Sequence, residues 1–202
     1  MNSRSVGVNS MLEKRTKILK STEYLLASGG LDKLSMKRVA LKSGVATGTI
    51  YLYFKSKSEL VQELHQQNLL KLAEFLFDKY DDKQTVKDRF LYLWHRMWEF
   101  GLLHPDSILC KPEFEKLPEL IQKQEEEYAK QLFQPLGEVY ADGLKHNLFR
   151  KLPIEVLVAI SFEPCSNLLR RQLIGQLDMQ QDQLNEAALS CYNAILIHLN
   201  SE

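Results

Sequence analysis

Residues 35–60 read SMKRVALKSGVATGTIYLYFKSKSEL, and this stretch decides the fold. Its spacing predicts a helix-turn-helix with the next helix attached. Val39 and Ala40 close one apolar-faced helix, Gly44 permits a sharp bend, and Ile50 anchors a second short helix. Ala40 lets two backbones approach, Gly44 can take a positive φ without a Cβ penalty, and Ile50 plugs the angle between the helices. The second helix then turns Thr47, Gly48, Thr49, Tyr51 and Tyr53 outward, short polar and phenolic groups suited to phosphates and base edges. Lys55 and Lys57 follow as phosphate clamps. The partner that such a pattern predicts is double-stranded DNA.

Charge is distributed to match. The chain of 202 residues has a formal net charge of zero. Residues 1–57 nevertheless hold 11 Lys and Arg against Glu13, Glu23 and Asp32, a formal +8, which leaves the remainder at −8. A polyanion-binding head on an acidic body accounts for the asymmetry. With 45% hydrophobic residues the chain can bury a core, and no apolar run is long enough to cross a membrane. Residues 1–15 lack the apolar core of a signal peptide, and residues 1–11 are expected to form a disordered basic arm. Cys110, Cys165 and Cys191 are odd in number and far apart, which predicts free, packed thiols in a reducing compartment.

Helical periodicity runs through the chain, and hairpin signals are almost absent. A first helix is expected over 12–28, with Ile18, Leu19, Thr22, Leu25 and Leu26 as its stripe and Gly29-Gly30 as its stop. Ser35 is a good N-cap for the second helix, the third covers 47–53, and Ser56 or Ser58 caps a fourth that reaches Phe77. A fifth helix, 85–103, is broken by His104-Pro105. A looser stretch with Pro112 and Pro118 follows, then an acidic helix over 119–146 interrupted near Pro135. Two last helices are expected over 154–173 and 180–199. The fold class is all-α, a three-helix DNA-binding head over 12–64 fused to a helical-bundle body over 65–202.

The string GVATGTIYLYFKSKSEL, with the preceding VALKSG, closely resembles the DNA-binding head of the TetR/AcrR family of bacterial transcriptional regulators. The resemblance covers roughly residues 12–64. It implies base or phosphate contacts from Thr47, Gly48, Thr49, Tyr51, Leu52 and Tyr53, phosphate contact from Lys57, and packing of Phe54 in the head. Met36 and Lys37 lie at the start of the second helix, where a backbone N–H or a side chain meets a phosphate. Ala46 departs from the pattern, since a serine often caps the third helix; Thr47 taking over that role would remove it from the interface.

One head reaches one short groove segment, so useful specificity requires a homodimer on a palindromic operator. Val156, Leu157, Ile160 and Ser161, with Ala187, Ala188, Cys191, Ile195 and Leu199, give the last two helices the seams of a four-helix bundle; the same seams could instead close the chain's own core. The middle helices are then expected to hold a small hydrophobic effector. Trp94 and Trp98 share a helix face, with Phe90, Met97, Tyr128, Phe133 and Phe162 as neighbours. Glu163-Pro164 interrupts an apolar run. Glu163 either faces a cavity and selects a cationic or hydrogen-bond-donating ligand, or stands paired or exposed beside a proline kink. The resemblance further implies release of DNA on ligand binding and a place in the bacterial cytoplasm, at the nucleoid.

Rival classes find less support. His65, His95, His104, His146 and His198 are dispersed, and there is no HExxH, paired CxxC or glycine-rich phosphate loop. Glu125-Glu126-Glu127 reads as a solvated helix face. No catalytic residue, metal site or cofactor is therefore predicted. A DNA-binding architectural or co-regulatory protein without a small-molecule ligand is one remaining alternative, and a transcriptional activator built from the same parts is another.

Overall fold

The computed structural model describes the backbone of residues 3–197 and the side chains of residues 11–197. Eleven helices make up the described residues: α1 (Ser3–Lys33), α2 (Met36–Ser43), α3 (Thr47–Tyr53), α4 (Lys57–Phe77), α5 (Val86–Leu103), α6 (Pro105–Phe114), α7 (Glu119–Leu132), α8 (Gln134–Lys145), α9 (Ile154–Ser161), α10 (Glu163–Leu173) and α11 (Gln181–Asn193). The only described β pairing is an isolated antiparallel bridge between Phe149 and Leu196.

Several boundaries differ from the sequence expectation for identifiable reasons. Helix α1 already begins at Ser3, so the expected arm is helical from that residue. Of the two glycines near its end only Gly30 leaves helical geometry, at φ 74° and ψ 171°. The looser stretch after His104 contains α6, with Pro105 at its first position, where the missing N–H costs nothing. The helix expected over 154–173 is two helices divided at Phe162, because Pro164 has no N–H to continue the ladder. Helix α11 stops at Asn193, and the chain turns so that Ile197 donates its N–H to Leu148 at 2.9 Å; Leu199 lies outside the described residues. Ser56, rather than Ser58, starts α4, accepting the Glu59 N–H at 3.1 Å while Glu59 accepts the Lys55 N–H at 2.6 Å.

The chain divides into two compact units. The first comprises residues 1–68 and 106–126, the second residues 69–105 and 127–202. The sequence boundary at 64/65 gave all of 106–126 to the body, whereas α6 and the first half of α7 pack within the first unit. Its core joins Ile18, Leu26, Val39, Ile50, Phe54 and Leu60 to Cys110 and Phe114 of α6. Burial also overturns one polar assignment. Glu126 and Glu127 are exposed, but Glu125 is only 4% exposed. Its Oε1 accepts the Gln62 and Gln66 amides of α4 at 2.9 Å each, while Oε2 and the Nδ1 of His65 are buried without partners.

In the second unit Phe90, Trp94, Val139, Tyr140, Phe149, Leu157 and Leu169 are fully buried. Arg89 of α5 is buried too and bonds Asp142 of α8 at 2.6 Å, which holds the Asp142 carboxyl below the usual carboxylate range. Gly143 lets the Phe149 ring lie against the α8 backbone, for a Cβ there would come within 2.2 Å of two ring carbons.

Two outcomes follow from these contacts. Gly143→Ala should destabilise the protein by about 1–3 kcal/mol through overpacking, read as a lower denaturation midpoint in urea; an unchanged midpoint contradicts the packing. Burial pushes the His65 pKa below its ordinary value, against an upward pull from Glu125 and with Lys111 adding to the downward shift. The folded state therefore binds fewer protons than the unfolded one as pH falls through about 6.5. Stability should decline from neutral pH toward pH 5, and His65→Leu should flatten that decline in pH-dependent denaturation.

Candidate nucleic-acid interface

The α2–α3 pair is built from its caps inward. Ser35 accepts the Arg38 N–H at 3.3 Å and opens α2. Gly44 takes φ 67° and sends its own N–H back to the Ala40 carbonyl. Val45 repeats that bond at 3.2 Å, so the turn is closed twice before α3 begins. Met36, Val39, Ala40 and Ile50 point into the head, and Ile50 is wholly enclosed. Ala46 stands at the N-cap of α3 without a side-chain hydrogen bond, and Thr47 does not replace it. Thr47 is exposed and remains free for another role.

The outward face of α3 follows directly from that burial. Leu52 is 84% exposed and Tyr51 51% exposed, with Thr47 and Gly48 beside them in sequence. Thr49 and Tyr53 are half-buried, Tyr53 resting on the core near Phe54 at 6.4 Å between ring centroids. Lys37, Lys55 and Lys57 are exposed. Of the two routes expected at the start of α2, Met36 keeps the backbone one: its side chain is in the core, and its N–H stands at the first helical position. Leu41 of α2, 86% exposed, was missed. Its signal was an aliphatic residue between the buried Ala40 and the exposed Lys42, off the apolar stripe of a short helix. Exposed aliphatic groups of this kind suit thymine methyls.

Not every cation of the basic segment is free. Arg15 pairs with Glu63 at 2.5 Å and lies 5.6 Å from the centre of the Phe54 ring. Lys42 sits 3.8 Å above the Tyr24 ring.

In the second unit the expected effector residues are partly brought together. Phe90, Trp94, Met97, Trp98 and Phe162 are buried. The two indoles stack at 6.4 Å with their planes 3° apart, and Phe90 meets Phe162 edge-on at 6.5 Å. The Trp94 indole N–H is buried, with the Cys191 sulfur, a weak acceptor, as its partner rather than an oxygen. Tyr128 is half-buried on α7, and Phe133 lies against Phe77 at 6.3 Å. Glu163 is exposed in the first turn of α10, beside the break, and does not line the aromatic cluster's interior. The dimer set also separates. Val156 and Ile160 are each 40% exposed and Cys191 is half-buried, but Leu157, Ser161, Ala188 and Ile195 are enclosed within their own chain. Burial pushes the thiols of Cys110, Cys165 and Cys191 up, away from the reactive thiolate.

With this geometry in place, the matches to known families are direct. Residues 18–64 match the family model described as bacterial regulatory proteins, tetR family. Residues 85–196, more than half the chain, match the one described as tetracyclin repressor-like, C-terminal domain. The chain belongs to the TetR family. It is a DNA-binding helix-turn-helix regulator of transcription. A TetR-like relative, an uncharacterized HTH-type transcriptional regulator of Haemophilus influenzae, is 25% identical over 88% of this chain and 93% of its own. A TetR-family regulator of Vibrio parahaemolyticus shares 27% identity and a TM-score of 0.78, over 92% of this chain and all of its own. The regulator FadR of Bacillus subtilis, solved in complex with stearoyl-CoA, has the same fold at a TM-score of 0.72 and 18% identity, over 91% of this chain and 99% of its own. Among the described residues no helix is long and apolar enough to cross a membrane, and no cluster of three or more His, Cys, Asp or Glu is arranged for a metal.

Removing the exposed side chain of Leu52 should leave the head folded, since that side chain packs on nothing in the free chain. Leu52→Ala is therefore expected to keep the wild-type thermal midpoint in circular dichroism, whereas Ile50→Ala should lower stability by about 2–5 kcal/mol. Equal losses for the two would contradict the assigned faces of α3.

Proposed function

We propose that this protein is a ligand-responsive repressor that binds a palindromic operator as a homodimer and leaves it when a small hydrophobic effector binds. The observation that carries the reading is the face of α3, where Leu52 and Tyr51 stand exposed on a helix whose opposite side is locked by Ile50. Thr47, Gly48, Thr49 and Tyr53 supply further contacts from the same helix, with Lys37, Lys55, Lys57 and the Met36 backbone N–H on phosphates. A single such face reads too few base pairs for genomic specificity, so two are required. The exposed Val156 and Ile160 of α9 are the apolar groups through which a second copy docks. The protein performs no catalysis and acts on the chromosome, in the bacterial cytoplasm.

The effector reading rests on the aromatic cluster around Trp94 and its buried indole N–H, which has only the weakly accepting Cys191 sulfur for a partner. A ligand with an apolar body and one hydrogen-bond acceptor would answer both features. Long-chain acyl thioesters are the class to try first, because a relative of the same fold was solved with stearoyl-CoA. Release then requires that ligand favour a conformation with lower operator affinity. Helices α4 and α7 each contribute residues to both compact units and are covalent routes for that bias.

The test is selection of duplexes from a randomised pool with the purified protein, followed by titration of the enriched sequence across a salt series. A palindromic consensus bound by two protomers or more, with affinity falling as salt rises, is the expected result. Sequence-blind enrichment overturns the operator reading in favour of an architectural role. Leu52→Ala should cost about 1–3 kcal/mol and relax preference at one position, and Lys55→Ala should weaken all sequences alike. Both tryptophans of the chain lie on α5, so intrinsic fluorescence reports the cluster. Stearoyl-CoA should change that fluorescence and release the duplex over the same concentration range; fluorescence and binding unchanged by it would exclude this ligand class.

A further inference from the structure

Three side chains from three helices converge on the end of α1. Gly30 there takes a left-handed φ of 74°, which turns the following peptides out of the helix. Glu113 of α6 accepts the Leu31 N–H at 2.6 Å. Lys57 of α4 donates its ammonium to the Leu31 carbonyl at 3.3 Å, and Arg38 of α2 donates Nη1–H to the Lys33 carbonyl at 2.6 Å. Residue 31 is thus gripped at both its backbone groups. A Cβ on residue 30 would lie 3.1 Å from Glu113 Oε2, so glycine is also what leaves room for the carboxylate.

The charges are arranged so that this grip does not compete with a phosphate. Lys116 holds both Glu113 oxygens, at 2.8 and 2.9 Å, and quenches the carboxylate beside the turn. Lys57 has three N–H donors, and its bond to Leu31 is a long one. The carbonyl fixes where the ammonium sits while leaving donors for another acceptor. Arg38 likewise spends one of its five donors on the same turn. Both cations are exposed; Arg38 lies in the first turn of α2 and Lys57 just beyond α3, at the start of α4.

We propose that Glu113 is a positioning residue for DNA binding: by fixing the peptide of Leu31 it holds the carbonyl on which Lys57 rests, and so sets Lys57 and Arg38 in register with the phosphates. This rests on the DNA-binding reading above. It gives the 106–126 excursion a role in the head beyond filling its core. Glu113 itself touches no nucleic acid; its contribution is to spare the cations the cost of being ordered at the moment of binding.

The measurement is dissociation of the selected duplex across a salt series for the wild type, Glu113→Ala, Glu113→Gln, Lys57→Ala and the Glu113→Ala/Lys57→Ala pair, with thermal midpoints recorded alongside. Glu113→Ala should weaken binding about tenfold and lower the salt slope by about one phosphate contact. Lys57→Ala should then cost far less in the Glu113→Ala background than in the wild type. Glu113→Gln, which keeps an acceptor for the Leu31 N–H, should retain most of the affinity. A lowered thermal midpoint with unchanged affinity and salt slope, strictly additive losses, or a Gln variant as weak as Ala would each overturn the proposal while leaving the DNA-binding reading standing. Wild-type protein that binds no duplex would overturn both.

Discussion

The head depends on the closure of a single turn. With Gly44 in the left-handed region, both its own N–H and that of Val45 return to the Ala40 carbonyl, and α3 is forced to leave α2 at one angle. An L-residue with a Cβ would resist that φ. Once the angle is set, Ile50 has one place to go, against Val39 and Ala40, and it is wholly enclosed there. A seven-residue helix has too few turns to be stable by itself, so α3 exists because one face of it is buried. The exposure of Tyr51 and Leu52 is the geometric complement of that burial. The exposed face of α3 is the unpaired side of a packing solution.

The same dependence explains what could be read from the residues alone. Ser35, Gly44 and Ile50 act locally, through bonds and contacts within some ten residues, and their roles were legible for that reason. The start of α5 at residue 85 and the break between α7 and α8 near Pro135 belong to the same class. Most of the misreadings involve partners distant in sequence. Glu125 looked solvated within its run of acids, yet two glutamines some sixty residues earlier enclose it. Leu157, Ala188 and Ile195 carry the small and aliphatic character of an interface, but periodicity cannot say whether an apolar seam meets its own chain or another. The helix 154–173 divides because Pro164 acts on a ladder that apolar periodicity cannot see.

Glu163 is a sharper case. A carboxylate within an apolar run allowed two readings, a buried group facing a ligand or a residue paired or exposed beside a proline kink, since burying it unpaired is costly. The division at Phe162 decides for the exposed one. Glu163 becomes the first residue of α10, where an acidic side chain is favoured by the unpaired N–H groups of the helix start, and it remains in solvent. The proline that seemed to open space beside a ligand carboxylate instead supplies the N-terminal position from which that carboxylate is satisfied. In the second unit the Trp94 indole N–H, deep among aromatic rings, meets no oxygen acceptor and has the weakly accepting Cys191 sulfur as its partner. A donor so weakly paired would favour a neutral or anionic oxygen, the opposite of the cation that a cavity-facing Glu163 would select.

Charge separates into two jobs in the same way. The formal +8 of residues 1–57 acts at a distance, but salt confines its reach to about 8–10 Å under ordinary conditions. Register at contact needs cations whose positions are fixed before DNA arrives. Arg15 rests against Glu63 and the Phe54 ring, and Lys42 over the Tyr24 ring. Lys57 and Arg38 are held by neutral carbonyls, which orient a cation without cancelling it. That difference in partner, carboxylate or ring against carbonyl, sorts the basic residues of the head more finely than their number does. It also explains why the turn at Gly30 carries so many hydrogen bonds for a corner of three residues: its carbonyls serve as mounts for charge.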